Sequence, residues 1–262
     1  MARTIPKGLS RVLEELELER PQLVTTSQLA ELCERAGIRT PAKVVASRLR
    51  ERGWLLPTTQ RGVWEFAPAE LAGAYSSADP LLPLKALAAA RANERFALAS
   101  QTAAWALGLA DRAPAVLDAA FEQAPASVPE GVCASTYRPN VPTATAKGVA
   151  ALAPESIVVH MVQRPSAVRS WQGVAEWLPD VAYELDAATM LKELEGRPRA
   201  AAVRTGYLLQ GMRPDVADAI MEGIPPRSKT RFGAGAAKRN DERWQVSDAT
   251  LPFDPREMKR AL

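Results

Sequence analysis

A cluster of basic and polar residues lies in a helix-like stretch near the N terminus of the chain. The segment ASRLRERGWLL, residues 46–56, places three arginines shortly before a glycine and an apolar run. Cationic side chains bind phosphates, and together with hydroxyls and amides they also contact base edges in a DNA groove. These residue types indicate nucleic-acid binding, and the candidate contact residues are Thr40, Lys43, Ser47, Arg48, Arg50, Gln60 and Arg61.

Three helices are predicted in front of residue 54. The first covers residues 9–18, where leucines and a valine recur at helical spacing. The second begins at a threonine cap in residues 25–26. The third begins after Thr40, which is followed by proline at the first helical position, and it ends at Gly53. Apolar residues on one side of the third helix would hold it against the other two.

A short hairpin is predicted directly after the third helix. Residues 54–56 and 63–66 have the composition of strands, and residues 57–62 form a polar turn between them. Three helices and a hairpin in this order are typical of a winged helix-turn-helix, a DNA-binding fold. The alternative is a solvated amphipathic helix followed by an unrelated hairpin. In the winged-helix interpretation two groups of residues would contact DNA, namely Lys43, Ser47, Arg48 and Arg50 on the recognition helix and Gln60 and Arg61 on the wing.

The remainder of the chain predicts a larger, mixed α/β domain, so the overall fold class is α+β. Residues 1–75 are assigned to the winged helix, residues 80–230 to the second domain and residues 231–262 to a partly flexible tail, with a linker at residues 71–79. Helices are predicted over most of the second domain, including residues 96–112. Strands are predicted at residues 116–123, 132–139 and 157–162, and an edge strand at residues 244–246.

No pattern in the chain is typical of catalysis, metal binding or a cofactor. His160 is the only histidine and lies in an apolar run, which favours a packed core residue. Cys33 and Cys133 are too far apart to suggest a metal site, and we expect two reduced, buried thiols. The net charge is only +3. The sequence predicts no signal peptide and no membrane helix, so a cytoplasmic, non-enzymatic protein without metal or cofactor is expected.

The order of several segments resembles a known family of antitoxins. These segments are RVLEELELERPQLVTTSQLAEL, RLRERGWLLPTTQRGVWEFAP, DPLLPLKALAAA, ASQTAAWALGLADR and VRTGYLLQ. They are similar to the AbiEi antitoxins of the AbiE abortive-infection toxin–antitoxin systems, in the long form of mycobacteria and actinobacteria. The similarity covers roughly residues 10–232. The last segment resembles the family stretch R-x-G-Y-L-L-E, with Gln210 in place of the final glutamate.

The resemblance implies a winged helix that binds inverted repeats of double-stranded DNA in its own promoter and represses the operon. It also implies a C-terminal domain that neutralises a nucleotidyltransferase-like toxin, without a stable complex being required. Arg204 and Tyr207 are the candidate residues for neutralisation, and structural packing of a helix is the alternative for both. Two other functions stay open. The winged helix could bind a partner protein rather than DNA, or the second domain could covalently modify the toxin.

Overall fold

The chain folds into two compact units. The computed structural model describes residues 4–5, 8–70 and 78–259. The first unit extends to Glu94 and includes residues 127–132, and the second contains residues 95–126 and the chain from Cys133 onward. The division therefore comes later in the sequence than the linker expected at residues 71–79. Most of that linker, residues 71–77, lies outside the described residues.

The described part of the first unit has the element order of a winged helix. Helices α1, α2 and α3 pack on a three-stranded sheet of order β1-β3-β2, and a fourth helix, α4, follows. Strand β1, between the first two helices, is not anticipated by the sequence pattern because three residues are too short for a visible alternation. The bounds are α1 Ser10–Glu19, β1 Leu23–Thr25, α2 Thr26–Arg35, α3 Ala42–Glu51, β2 Leu55–Pro57, β3 Val63–Phe66 and α4 Leu82–Ala90.

Local interactions fix where α2 begins and how the wing turns. The Thr25 hydroxyl accepts a hydrogen bond from the Gln28 amide at 3.2 Å, and the Gln28 side chain accepts one from the Thr25 amide at 2.8 Å. This reciprocal capping box satisfies two amides that the helix itself leaves free. The Gly62 carbonyl accepts hydrogen bonds from the Thr26 amide and hydroxyl at 2.9 and 3.1 Å. The end of the wing is thereby tied to the start of α2.

A buried polar cluster precedes α4. One carboxylate oxygen of Asp79 accepts hydrogen bonds from Lys85 and Gln22 at 2.7 Å, and the other accepts one from the Leu81 amide at 2.9 Å. Burial alone would raise the pKa of Asp79, but these three donors outweigh it and hold the pKa below its ordinary value. Because Gln22 directly precedes β1, the cluster links α4 to the sheet of the winged helix.

The second unit is built on a five-stranded sheet of order β6-β5-β4-β8-β7. Strands β4 and β5 are antiparallel, β4 and β8 are parallel, and β8 and β7 are antiparallel. The bounds are β4 Phe96–Leu98, α5 Ser100–Ala106, β5 Leu117–Phe121, β6 Val132–Thr136, β7 Ala144–Ala146 and β8 Val149–Ala151. The helix predicted over residues 96–112 is wrong at its start, because residues 96–98 pair with β5 instead of continuing the helix.

Helices form the rest of this unit together with a small second sheet of order β10-β11-β9. Their bounds are α6 Pro154–Gln163, a 3-10 turn Pro165–Ala167, α7 Trp171–Tyr183, α8 Ala187–Leu194, α9 Arg199–Leu209, α10 Pro214–Gly223, β9 Thr230–Phe232, β10 Arg239–Asp241 and β11 Val246–Asp248. The described residues thus confirm an α+β fold in which a winged helix precedes a larger mixed domain.

The strand predicted at residues 157–162 is wrong, since these residues lie within helix α6. A short run of β-branched residues does not distinguish a strand from a helix that is buried on all sides. Here Pro154 stands at the first helical position and Glu155 in the first turn, both typical of a helix start. Burial on nearly every side removes the helical periodicity that identifies an amphipathic helix.

The segment expected to be a partly flexible tail is folded into the second unit as far as it is described. Trp244 is fully buried, and β11 is the central strand of its sheet, not an edge strand. Strand β11 pairs parallel with β9 and antiparallel with β10. The abundance of Gly, Lys and Arg suggested flexibility, but the partners that order this segment come from α9, which sequence composition does not reveal.

Candidate functional sites

The third helix presents its candidate DNA-binding residues on the side opposite the core. Val45, Ala46 and Leu49 are buried and hold α3 against the rest of the first unit. Thr40 and Ser47 are partly exposed, and Lys43, Arg48 and Arg50 are exposed. In the wing, Gln60 is partly exposed and Arg61 is exposed. The structure therefore brings the predicted residues to the surface of one unit.

The basic residues of α3 flank its outward face from two sides. Successive residues of an α-helix are about 100° apart, which places Arg50 and Arg48 about 160° from each other around the axis. Lys43 lies on the same side as Arg50. Between the two basic edges lie Val44, Ser47 and Glu51, and the Ser47 hydroxyl donates a hydrogen bond to Glu51 at 3.2 Å. The four residues predicted to share one side are therefore distributed over the centre and both edges of the face.

Val44 is a surface residue that the sequence analysis missed. It is 42% exposed, an unusual position for a valine, and it lies near the centre of the outward face of α3. An apolar residue on the polar side of a basic helix was the available signal. Four basic side chains form no ion pair with a carboxylate in the part of the chain that the structure describes, namely Lys43, Arg48, Arg50 and Arg61.

The R-x-G-Y-L-L stretch has internal contacts in the second unit. Arg204 donates hydrogen bonds to the carbonyls of Val162 and Gln163 at 3.3 and 3.2 Å, and to the Arg231 carbonyl at 2.7 Å. A guanidinium that binds the last carbonyls of a helix satisfies acceptors that the helix leaves free. Arg204 thereby connects the end of α6 to β9.

Tyr207 is buried in the same stretch, with 2% of its surface exposed. Its hydroxyl donates a hydrogen bond to Asp248 at 3.1 Å, which links α9 to β11. Burial raises the pKa of Tyr207, and the neighbouring Asp248 carboxylate adds to the shift. The hydroxyl therefore stays protonated and acts as a fixed donor. These contacts favour a packing role for Arg204 and Tyr207, which was the alternative in the sequence analysis.

The second unit also contains a pocket of about 250 Å³. Its wall combines polar groups on the strand side with apolar groups on α7. His160 lies at its inner side, with Nε2 2.7 Å from the Ser135 hydroxyl and Nδ1 3.4 Å from the Ser100 hydroxyl. The principal lining residues are Ser100, Asp118, Cys133, Ser135, His160, Arg164, Arg169, Val174 and Trp177.

Burial shifts the pKa values of two titratable groups that line this pocket. Burial lowers the pKa of His160 to about 4, and the cations Arg164 and Arg197 contribute, so the imidazole is neutral at pH 7. Burial raises the pKa of Asp118 to about 6 although Arg169 pairs with both of its oxygens at 2.8 Å. Arg164 is exposed beside the neutral imidazole and forms no ion pair with a carboxylate among the described residues.

The thiol at position 133 departs from expectation. Cys33 is buried in the core of the first unit, as predicted, but Cys133 is exposed at the pocket. Cys133 lies on β6, which is the outer strand of the five-stranded sheet and packs less tightly than β5. Among the described residues, no helix is long and apolar enough to cross a membrane. Nor do those residues bring three or more metal-ligating side chains together.

The chain joins a winged helix to an α+β domain that carries an R-x-G-Y-L-L helix, and one family model matches this second domain. Residues 96–211 match the family model described as AbiEi antitoxin C-terminal domain. Residues 96–211 are thus an AbiEi-type antitoxin domain, which supports an antitoxin role in a toxin–antitoxin system and confirms the expected resemblance for this part of the chain.

The match in sequence is supported by a match in structure. A crystal structure of the RV2827C protein from Mycobacterium tuberculosis superposes with a TM-score of 0.76 at 27% sequence identity. The similarity covers 95% of this chain and 94% of that chain, so it includes both units. No curated protein sequence matches the chain significantly.

Proposed function

We propose that the first unit binds double-stranded DNA and that the protein represses its own operon through inverted repeats in the promoter. The observation that supports this most is the set of exposed cations on α3 and the wing, none of which is neutralised by a carboxylate of the described chain. Unpaired Lys and Arg side chains on one surface release counterions when they neutralise phosphates, which favours DNA binding.

The arrangement of α3 fits the major groove. That groove is about 12 Å wide and admits an α-helix between two phosphate backbones. Arg48 on one edge and Lys43 with Arg50 on the other would bind the two backbones. Val44 and Ser47, between them, would face the base edges, where an apolar side chain contacts the thymine methyl and a hydroxyl contacts any base. Base reading is thereby assigned mainly to Val44 and Ser47.

The wing would bind the DNA backbone or the minor groove beside the recognition helix. The Thr58 hydroxyl donates to the Val63 carbonyl at 2.8 Å and accepts from the Gln60 amide at 3.1 Å. These bonds hold the turn in one conformation before DNA arrives, which lowers the entropic cost of binding. Gln60 and Arg61 would make the contacts, and Thr40 would donate to a phosphate near the start of α3.

We propose further that the second unit neutralises a nucleotidyltransferase-like toxin, with or without a stable complex. Arg204 and Tyr207 would support this activity indirectly, because their polar groups bind within the unit. The exposed Val44 also suits the alternative function, in which α3 binds a partner protein, since apolar side chains contribute to protein interfaces. Repression and toxin neutralisation are separable, because they are assigned to different units.

The deciding experiment is fluorescence anisotropy of the purified chain with the DNA upstream of its gene and with a scrambled duplex, at 50 and about 200 mM salt. We expect a preference for the upstream DNA that persists at the higher salt and disappears when Val44 and Ser47 are both replaced by alanine. A matched control is Leu18→Ala, a change of an exposed apolar residue on α1. Equal, salt-sensitive binding to both duplexes would refute sequence-specific repression.

A further inference from the structure

The pocket of the second unit combines the features of a small-molecule site. Sites of this kind are concave, mainly apolar, and contain a few polar groups that orient the ligand. Val174 and Trp177 of α7 contribute apolar lining here, and Ser135 and His160 contribute polar lining. Its volume of about 250 Å³ is slightly below the usual range of about 300 to 1,000 Å³. A ligand with a single ring would fill it.

One buried donor at the pocket lacks a partner. Trp177 is 4% exposed, and its indole N–H forms no hydrogen bond within the described chain. Most buried tryptophan N–H groups are paired, as Trp171 shows by donating to the Pro165 carbonyl at 2.8 Å. A buried donor without an acceptor is costly, but the Trp177 nitrogen has almost no accessible surface, so the contact that this residue offers to a ligand is its ring.

The charge at the pocket favours an anion. The Arg169 guanidinium is already paired with Asp118, whereas Arg164 lines the pocket without a carboxylate partner in the described residues. The other polar groups are neutral, since the Ser135 hydroxyl bonds to His160 and the imidazole itself carries no charge at pH 7. A single cation beside neutral hydroxyls matches one anionic group on a ligand.

We propose that this pocket binds a small aromatic or similarly flat apolar molecule that carries one phosphate or carboxylate group. The ring packs against Val174 and Trp177, and the anionic group binds the Arg164 guanidinium. Binding of this ligand is a further property of the antitoxin domain and does not depend on the DNA-binding function proposed for the first unit.

Cys133 provides a direct readout of occupancy. It is exposed at the pocket, whereas Cys33, the only other cysteine of the chain, is buried in the core of the first unit. Under native conditions a thiol reagent therefore reacts first at Cys133. The full-length protein is alkylated with and without phenyl phosphate, benzoate, inorganic phosphate or phenol, and the rate at Cys133 is followed by mass spectrometry. Calorimetric titration with the same four compounds gives the affinities.

The expected result is slower alkylation and measurable heat with phenyl phosphate or benzoate, and much weaker effects with inorganic phosphate or phenol. Whichever of the two ring-bearing compounds binds more tightly identifies the anionic group as phosphate or carboxylate. Unchanged alkylation and no heat with both would overturn the proposal. Equal binding of inorganic phosphate and phenyl phosphate would also overturn it, because this result shows an anion site without a pocket for the ring.

Two variants test the assigned contacts. Arg164→Gln is expected to weaken binding at least about tenfold by loss of the charge-assisted hydrogen bond. Trp177→Phe keeps an aromatic side chain of smaller area at this wall, so it is expected to weaken binding less, with an unchanged circular dichroism spectrum. The matched control is Arg227→Gln, which removes an exposed arginine outside the pocket. An equal loss in this control would show general charge attraction and overturn the site.

Discussion

Gly206 lies in direct contact with the indole ring of Trp244. A Cβ atom added at position 206 would be 1.9 Å from Cη2 of that ring, far inside van der Waals contact. Helix α9 and the segment before β11 approach each other this closely only because position 206 has no side chain. The glycine of the R-x-G-Y-L-L stretch is therefore explained by packing, in the same way as Arg204 and Tyr207 on either side of it.

We predict that Gly206→Ala destabilises the second unit by about 3 kcal/mol or more, because the added Cβ would overlap the fully buried ring of Trp244. Urea unfolding followed by circular dichroism measures the change. Gly223→Ala serves as the control, since its Cβ would be 3.6 Å from Leu191, an ordinary contact. A loss below about 1 kcal/mol for Gly206→Ala would show that the ring can move away.

The elements with amphipathic patterns or clear caps could be predicted from the sequence. Asp186 was expected to cap α8, and its side chain accepts a hydrogen bond from the Thr189 amide at 2.8 Å. Thr25 likewise caps the start of α2, and Gly53 follows the end of α3, as the sequence predicted. These signals are local, because a cap binds amides only a few residues away and leaves a record in the adjoining sequence.

Features that depend on distant partners could not be predicted. Helix α6 is buried by several elements, so its apolar run has no polar side and resembles a strand. Trp244 is ordered by contact with α9, about 40 positions earlier in the chain. The exposure of Cys133 follows from the position of β6 at the outside of its sheet. The same limit applies to the pocket, whose lining comes from four separate segments.

Replacement of single arginines on α3 should separate backbone contacts from base contacts. We predict that Arg48→Ala and Arg50→Ala each weaken binding to specific and scrambled DNA alike and each lower the salt slope by about 1. Val44→Ala should instead reduce the preference for the upstream DNA and leave the slope unchanged, because no charge is lost. Anisotropy over a range of salt gives both quantities.

The contrary outcome for α3 is also informative. If Arg48→Ala removes the sequence preference while Arg50→Ala does not, Arg48 reads bases. If none of the three changes affects DNA binding, α3 is not the recognition helix. Arg35→Ala is a suitable control, because Arg35 is already paired with Glu15 and Glu19 at 2.6 and 3.4 Å.

Two glycines of the first unit allow backbone strain to be separated from crowding. Gly37 and Gly62 have φ angles of 71° and 79°, a region of backbone conformation that residues with a Cβ atom rarely adopt. A Cβ at Gly37 would have nothing within 4 Å, whereas one at Gly62 would be 2.9 Å from the Thr26 hydroxyl. We predict that Gly37→Ala lowers the free energy of unfolding by about 1 kcal/mol. Gly62→Ala should lower it by about 1 kcal/mol more than Gly37→Ala, because crowding adds to the strain, and thermal unfolding measures both changes. Equal losses would show that the wing adjusts freely at Thr26.

His160 is the only histidine of the chain, so its NMR signals can be followed in a pH titration without residue assignment. We predict that NMR of the His160 imidazole gives a pKa of about 4, well below its ordinary value of 6.5. Because the folded-state pKa is lowered, this group's contribution to stability is fully present above pH 6.5 and is lost as the pH falls toward 4. The loss is on the order of 3 kcal/mol, about 1.4 kcal/mol for each pKa unit.

The stability effect of His160 requires a reference variant, because Asp118 acts in the opposite sense. The pKa of Asp118 is raised to about 6, so proton uptake by this carboxyl favours the folded state as the pH falls through that range. The wild type is compared with His160→Gln. Both proteins contain Asp118, so its contribution cancels in the difference between their stabilities. The stability of the wild type relative to this variant should fall between pH 6.5 and 4. A constant difference would mean that His160 has the same pKa in the folded and the unfolded protein.

Arg204 and Tyr207 offer a test of the proposal that the second unit neutralises a toxin. Both residues hold α9 against neighbouring segments, so we predict that Arg204→Ala and Tyr207→Phe reduce neutralisation only as far as they reduce stability. Loss of the Tyr207 hydrogen bond to the Asp248 carboxylate should cost about 2 kcal/mol.

Growth rescue of cells that express the cognate toxin is compared with the unfolding temperature and soluble amount of each variant. The control is Arg199→Ala. Arg199 also lies on α9, and its replacement removes only an exposed hydrogen bond to the Pro225 carbonyl. A variant of Arg204 that is fully stable and yet fails to neutralise would place the guanidinium in contact with the toxin.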